Sequence, residues 1–167
     1  MWVLGGYQSD FARNLAREGV GIDGLVREVV EGALTSAGLP GSEVGVIHVG
    51  NAFGQLFTGQ GHLGAMPATV HDELWGTPFS RHEAACASGS IAVLAAMADL
   101  ESGGYDCALV LGIELEKTQG SDEAARTLGA AAWVGHEAEG VTYVWPRSHR
   151  PVGGRCRTTC PTRPSIR

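Results

Sequence analysis

The sequence predicts an α/β layer fold, a mostly parallel sheet with helices on both faces. Three observations point there. Short apolar runs alternate with helical patterns in the order β, α, β, short α, β, α, β. The stretches between successive strand candidates are long enough for right-handed crossovers, where tight hairpins would need only a few residues. At 167 residues with 44% hydrophobic residues, one domain buries enough apolar surface to fold without disulfides or a metal.

Each element follows from local pattern. Residues 2–6 are a short apolar opening run that predicts a buried strand, and residues 7–21 mix polar residues and glycine as a loop does. Ile22, Leu25, Val26, Val29, Val30, Ala33, Leu34 and Ala37 then fall on one wide helix face, with Asp23 expected as N-cap and Gly38 and Pro40 as the stop. Residues 44–49 predict a second strand running into the glycine-rich turn Gly50-Asn51-Ala52-Phe53-Gly54, with a loop or short helix after it. Pro67 suits the first turn of a helix reaching Leu74, which Gly76 and Pro78 end. Residues 79–85 predict a strand. Residues 88–100 predict a helix that is apolar nearly all round and therefore buried. Residues 107–113 are a continuous apolar run, a further buried strand. Glu114-Leu115-Glu116-Lys117 reads as a charged, solvated exit from it, and residues 124–133 as partly helical.

Composition excludes several classes. Residues 1–146 carry 6 basic and 18 acidic residues, a balance of −12, while residues 147–167 carry 6 basic residues and no acid. An acidic body does not suit a nucleic-acid binder, which gains affinity by neutralising phosphates. No run reaches the ~20 apolar residues of a membrane span. The opening Met1-Trp2-Val3-Leu4-Gly5-Gly6 lacks a basic region and a long apolar region, so no secretory signal is read there and the expected compartment is the cytoplasm. Cys86, Cys107, Cys156 and Cys160 do not form a disulfide framework and are expected as reduced thiols. Cys156 and Cys160, near His149, lack the second spaced pair that a zinc site calls for, and no metal is expected.

The stretch richest in chemical meaning is His82-Glu83-Ala84-Ala85-Cys86-Ala87-Ser88-Gly89-Ser90. A strand ends in a cysteine and small residues open a buried helix. This places the sulfur near a helix N-terminus, where unpaired N–H groups and the dipole favour thiolate over thiol. The same N–H groups can receive an oxyanion forming on a carbon bonded to that sulfur. A buried structural cysteine is the other reading the residues leave open.

The segment from Glu83 to Ser90 resembles the nucleophile segment of the thiolase superfamily, in particular the branch similar to the thiolase domain of sterol carrier protein X. Leu4-Gly5-Gly6-Tyr7-Gln8-Ser9-Asp10-Phe11, the helix from Asp23, His48-Val49-Gly50-Asn51-Ala52-Phe53-Gly54, Gly59-Gln60-Gly61 and Gly129-Ala130-Ala131-Ala132-Trp133 resemble it in order and spacing. The resemblance runs over residues 2–147, little more than the first third of a typical member, so it implies a truncated thiolase-like half-fold. It implies Cys86 as the catalytic nucleophile and a 3-ketoacyl-CoA as substrate. Coenzyme A is then a substrate, with no tightly bound cofactor, and family members form homodimers. The implied reaction is thiolytic cleavage or its reverse, a Claisen condensation, through an acyl-cysteine. The implied alternatives are a non-catalytic remnant that associates with a full-length thiolase, or a ketosynthase-like condensing protein.

The family's remaining machinery is expected in its second half: a histidine in Gly-His-Pro, a second cysteine, and a His-Asp or Asn-Glu motif. This chain has Gly61-His62-Leu63 and Gly135-His136-Glu137 but no Gly-His-Pro. His82 lies four residues before Cys86, ~13 Å away if both sit on one strand, too far to act as its base. His48, His62, His71 and His136 remain open. Two motifs are decoys. Gly59-Gln60-Gly61-His62-Leu63-Gly64 fits a dinucleotide fingerprint but does not directly follow a strand, and His71-Asp72-Glu73-Leu74 is a retention signal only at a C-terminus. Residues 148–167, with 5 Arg and 3 Pro, form a basic stretch whose composition predicts disorder. Arg outnumbers Lys 11 to 1 across the chain, the usage of a GC-rich gene, and the expectation for 148–167 is an out-of-frame tail beyond a domain of residues 1–147. The other expectation is a basic arm that binds an anionic partner.

Overall fold

The computed structural model describes residues 1–137 and Val144, so the predicted 148–167 segment, Cys156 and Cys160 lie outside the described residues. The elements are α1 (Ile22–Ala37), β1 (Val46–Gly50), α2 (Gly54–Thr58), α3 (Met66–Val70), β2 (Phe79–His82), α4 (Ser88–Glu101), β3 (Ala108–Gly112), α5 (Ser121–Gly129) and α6 (Val134–Glu137). The three strands form one parallel sheet in the order β2-β1-β3, with Ile47 opposite Phe79 and Leu109. Because successive strand residues face opposite sides, Ile47, Val49, Leu109 and Leu111 share one face. They close a buried core with Leu25, Val26, Val30 and Leu34 of α1. Helix α4 covers the other face, so the predicted α/β layering with helices on both sides is present. Among the described residues no helix is long and apolar enough to cross a membrane.

Helix α1 matches its predicted face. It ends where Gly38 takes a left-handed conformation (φ 65°, ψ 30°), which lets the Leu39 N–H reach back to the Leu34 carbonyl at 3.2 Å. Its N-cap is Gly21, not Asp23. Asp23 sits inside the first turn, where its charge complements the helix dipole without capping a backbone group.

Helix α4 lies unusually close to the sheet. A Cβ on Gly50 would fall 2.8 Å from the Cα and N of Gly89 and from the Ser88 carbonyl oxygen. Two glycines, one on the strand and one on the helix, therefore set the separation of the layers at the carboxyl end of β1.

Five expectations need correction. Residues 2–6 form no strand: Trp2 and Val3 are 89% exposed, and no described strand lies beside them to take up their backbone groups. The strand predicted over 79–85 stops at His82, because Ala84 (φ −154°, ψ 46°) and Ala85 (φ 47°) turn the chain. The helix expected from Pro67 to Leu74 breaks at His71, which is extended (φ −140°, ψ 110°), before a single 3-10 turn at Asp72–Leu74 carries Leu74 into the core. Helix α4 is apolar all round but not buried all round. It buries Ser88, Ala92 and Ala96, while Ile91, Val93 and Leu94 are exposed, with no second layer over them among the described residues.

The 114–117 exit is tied down instead of solvated. Leu115 is in the core, and Glu114 accepts hydrogen bonds from the N–H groups of Ala52 and Phe53. Lys117 Nζ donates to the carbonyls of Phe11 (2.9 Å) and Arg13 (2.8 Å).

Candidate active site

In parallel α/β sheets ligands meet the carboxyl ends of the strands, and the loops there are tightly built. After β1, the buried Asn51 donates through Nδ2 to the Ile113 carbonyl (2.5 Å) and accepts from the Gly54 N–H through Oδ1 (3.1 Å). One side chain thus fixes the start of α2 to the end of β3. Partial desolvation, together with neighbouring Glu114, pushes the Glu116 carboxyl above its usual range.

After β2 comes the cysteine turn. Cys86 lies in a 3-10 turn, Ala85–Ala87, that leads directly into α4, and it is exposed. Ala85 adopts a left-handed conformation that costs a residue with a Cβ roughly 1–2 kcal/mol, so neighbouring groups have to hold it. Three hydrogen bonds do so. The Ala85 N–H donates to Glu83 Oε1 (2.6 Å), the Ala84 N–H donates to Ser88 Oγ (3.0 Å), and Ser88 Oγ donates to the Ala85 carbonyl (2.7 Å). Ser88 is 5% exposed. From sequence Ser88 reads only as one of the small residues that open the helix; the signal for more is a hydroxyl two residues past the cysteine, where a helix begins. The turn places the exposed Cys86 two residues before the start of α4.

The other predicted site residues are dispersed. Cys107 immediately precedes β3, and burial, reinforced by Glu43, raises its thiol pKa, the wrong direction for a nucleophile. The ring of His62 packs edge-on against Phe79 and that of His136 against Trp133. The buried Nδ1 of His71 has no hydrogen-bond partner among the described residues.

The structure does bring two histidines together. His48 Nδ1 lies 3.0 Å from His82 Nε2, Ser80 Oγ is within 3.1 Å of the first and 2.8 Å of the second, and His48 Nε2 is 3.2 Å from Asp99 Oδ2 on α4. The Asp99 contact is an ion-pair distance without hydrogen-bond geometry. Burial lowers the His48 pKa, and His82 adds to this against the pull of Asp99. The strand argument that separated His82 from Cys86 falls with the shortened β2. Even so, the His82 ring is engaged by His48 and Ser80, and among the described residues no hydrogen bond to Cys86 Sγ is present.

The match to known proteins covers this whole arrangement. The model of the family described as "Thiolase, N-terminal domain" matches residues 2–142. The chain belongs to the thiolase family. It is 40% identical over 90 residues to the acetyl-CoA acetyltransferase of Methanocaldococcus jannaschii, covering 54% of this chain and 23% of that protein. It is 31% identical over 119 residues to the acetyl-CoA acetyltransferase of Methanothermobacter thermautotrophicus, covering 71% of this chain and 30% of that protein. The matched part of the chain therefore spans less than a third of the length of each of these relatives.

Proposed function

We propose that the chain carries the acyl-accepting half of a thiolase-type acyltransferase, with Cys86 as the nucleophile. The observation that supports this most is the exposed Cys86 on a hydrogen-bonded turn at the N-terminus of α4, in a chain of the thiolase family. The substrates in this reading are acetyl-CoA and 3-ketoacyl-CoA, with coenzyme A as second substrate and no tightly bound cofactor.

The Cys86 thiolate attacks the thioester carbonyl of acetyl-CoA. The carbon–sulfur bond to coenzyme A breaks, and the departing thiolate takes up the proton lost by Cys86, leaving an S-acetyl group on the protein. The first-turn N–H groups of α4 stabilise the oxyanion of the tetrahedral intermediate. In the thiolytic direction the same sulfur attacks the 3-keto carbon, the bond between the second and third carbons breaks, and the released acetyl-CoA carbanion is protonated. Free coenzyme A then removes the acyl group.

A second reading, a remnant that does not turn over, is favoured by one specific observation: no described histidine is hydrogen-bonded to Cys86 to act as its base. Incubation with acetyl-CoA followed by intact-mass measurement and peptide mapping distinguishes the two. An acetyl group on Cys86 supports the nucleophile role. Its absence in protein whose fold is verified by circular dichroism overturns it, and an adduct that added coenzyme A cannot release identifies a nucleophile without its bases.

A further inference from the structure

The sheet face under α4 is polar, and its polar groups converge on one point. The parallel register sets His48 opposite Ser80, and His82 follows Ser80 two residues on, on the same face. His48 Nδ1, Ser80 Oγ and His82 Nε2 therefore stand at the corners of a triangle with sides of 3.1, 2.8 and 3.0 Å. No metal is expected from the sequence, in which positions 48, 80 and 82 follow no ligand spacing. Only the sheet brings the three side chains together.

The triangle has more lone pairs than hydrogens. Asp99 Oδ2 lies 3.2 Å from His48 Nε2, and its negative charge favours the ring proton on that nitrogen, leaving a bare lone pair on Nδ1. Two hydrogens at most then serve three contacts: that of the Ser80 hydroxyl and one on His82 Nε2. One close contact is left with no hydrogen of its own, beside a ring that is 3% exposed. Buried polar atoms are normally paired, and three donors of electron pairs facing one point are paired together by a cation.

The ring positions suit one. Two imidazoles on a single tetrahedral zinc ion, each nitrogen about 2.1 Å from the metal, have centroids about 5.3 Å apart, and the His48 and His82 centroids are 5.2 Å apart. Tilting the rings about their centres, with the strands in place, opens the 3.0 Å between the nitrogens to the about 3.4 Å that such an ion needs. We propose that His48 Nδ1, His82 Nε2 and Ser80 Oγ hold a divalent transition ion of the zinc type, with water in the fourth position. His82 then carries its ring proton on Nδ1. Asp99 supplies the carboxylate that commonly fixes the tautomer of a ligating histidine from behind. Among the described residues no three His, Cys, Asp or Glu side chains meet around one point; with a hydroxyl as third donor this is an open, exchangeable site and not a closed structural centre. Strand β2 is an edge of the described sheet, and Ser80 and His82 are half-buried, so the ion enters from that side. Once bound it clips β1 to β2 immediately before the turn that holds Cys86. The proposal does not depend on whether Cys86 is acylated.

The test titrates the full 167-residue chain with Zn²⁺ and follows the imidazole ¹⁵N signals of each histidine by NMR, which separates this site from zinc held by cysteine thiols. The expected result is that His48 Nδ1 and His82 Nε2 shift together, at one zinc concentration, with the proton of His48 on Nε2 and that of His82 on Nδ1. His82→Gln removes the second imidazole at a half-buried position and is expected to weaken the zinc-induced shift of His48 at least tenfold in apparent affinity. Asp99→Asn, on the partly exposed face of α4, is expected to weaken it by about tenfold and covers the case in which the strand variant misfolds. Ring nitrogens of both histidines that stay unmoved at saturating Zn²⁺ overturn the proposal, including the case in which zinc is taken up by cysteines alone. So does a shift of one ring without the other, or a His48 shift that His82→Gln leaves at the same zinc concentration, since the two histidines would then not share an ion.

Discussion

The two long helices face opposite sides of the same sheet and make opposite use of their sequences. Helix α1 puts Leu25, Val26, Val30 and Leu34 into the core and turns charged residues such as Arg27 and Glu31 outward. Helix α4 buries only Ser88, Ala92 and Ala96, small residues that allow close approach, and shows Ile91, Val93 and Leu94 to solvent. Beneath α1 the sheet is hydrocarbon; beneath α4 it carries His48, Ser80 and His82. The difference separates a helix whose outer surface suits water from one whose outer surface suits another protein layer. Cys86 lies in the turn that immediately precedes the second helix, so the proposed nucleophile and the unfinished surface are neighbours.

Placing a charge on each helix breaks this comparison most strongly. Val30→Asp buries an unpaired carboxylate in the α1 core and is expected to cost more than about 3 kcal/mol, enough to unfold a marginal domain. Leu94→Asp, at a position 57% exposed, is expected to change stability by less than about 0.5 kcal/mol and to reduce self-association of the chain. Urea titration gives the first pair of values, and light scattering gives the last. Equal losses from the two substitutions would show that α4 is packed on both sides.

The next effect concerns the close contact between α4 and the sheet at Gly50 and Gly89. Gly50→Ala places a methyl group 2.8 Å from the Gly89 backbone, so α4 must shift outward at its N-terminal end, at a cost of about 1–3 kcal/mol. Alkylation of Cys86 by a small thiol reagent is expected to change in rate, because the turn rides on that end of the helix. A Gly50→Ala protein with unchanged stability would remove the argument that these glycines set the layer spacing.

Ser88→Ala is expected to be milder, about 1 kcal/mol, because the turn keeps the Glu83 hydrogen bond. The specific consequence is at Ala85, whose left-handed conformation loses two of its three supports. Lower Cys86 reactivity with only a small loss of stability, and recovery in Ser88→Thr, would identify Ser88 as a positioning residue.

The same contrast explains what could be read from sequence. Helix α1 was legible down to its Gly38 stop because its amphipathic period and its termination are local properties. Strands β1 and β3 were legible as apolar runs, and β2, predicted over 79–85, ended early because nothing in the residue types of 83–85 announces a left-handed alanine. The arm over residues 2–6 was misread, since a strand exists only with a neighbour, and pairing is not local. Helix α4 was misjudged for a related reason. Its apolar surface reports what it is suited to meet, and in this chain that surface meets solvent. At the site, Cys86 is proposed from its neighbours in sequence. The His48–His82 contact could emerge only from the parallel register that sets Gly50 opposite His82 and His48 opposite Ser80.

The smallest expected effect is the pH dependence contributed by the polar face under α4. His48 is 3% exposed, and burial holds its pKa below that of a free histidine. In the unfolded chain it titrates near about 6.5. As pH falls through that value the unfolded state takes up a proton that the native state does not, so the native state loses stability, and the loss levels off only below the native pKa. Above about pH 7.5 both states are neutral and His48 contributes no slope. Asp99 opposes the depression, so Asp99→Asn is expected to lower the native pKa further and to extend the acid loss to lower pH. His48→Gln is expected to flatten the stability curve between about pH 7 and 5 relative to the parent. Denaturant midpoints measured across that interval decide the matter. A parent curve that keeps its slope after His48→Gln assigns the acid sensitivity to another group, and a stabilised Asp99→Asn protein at low pH would reverse the sign assigned to the His48–Asp99 contact.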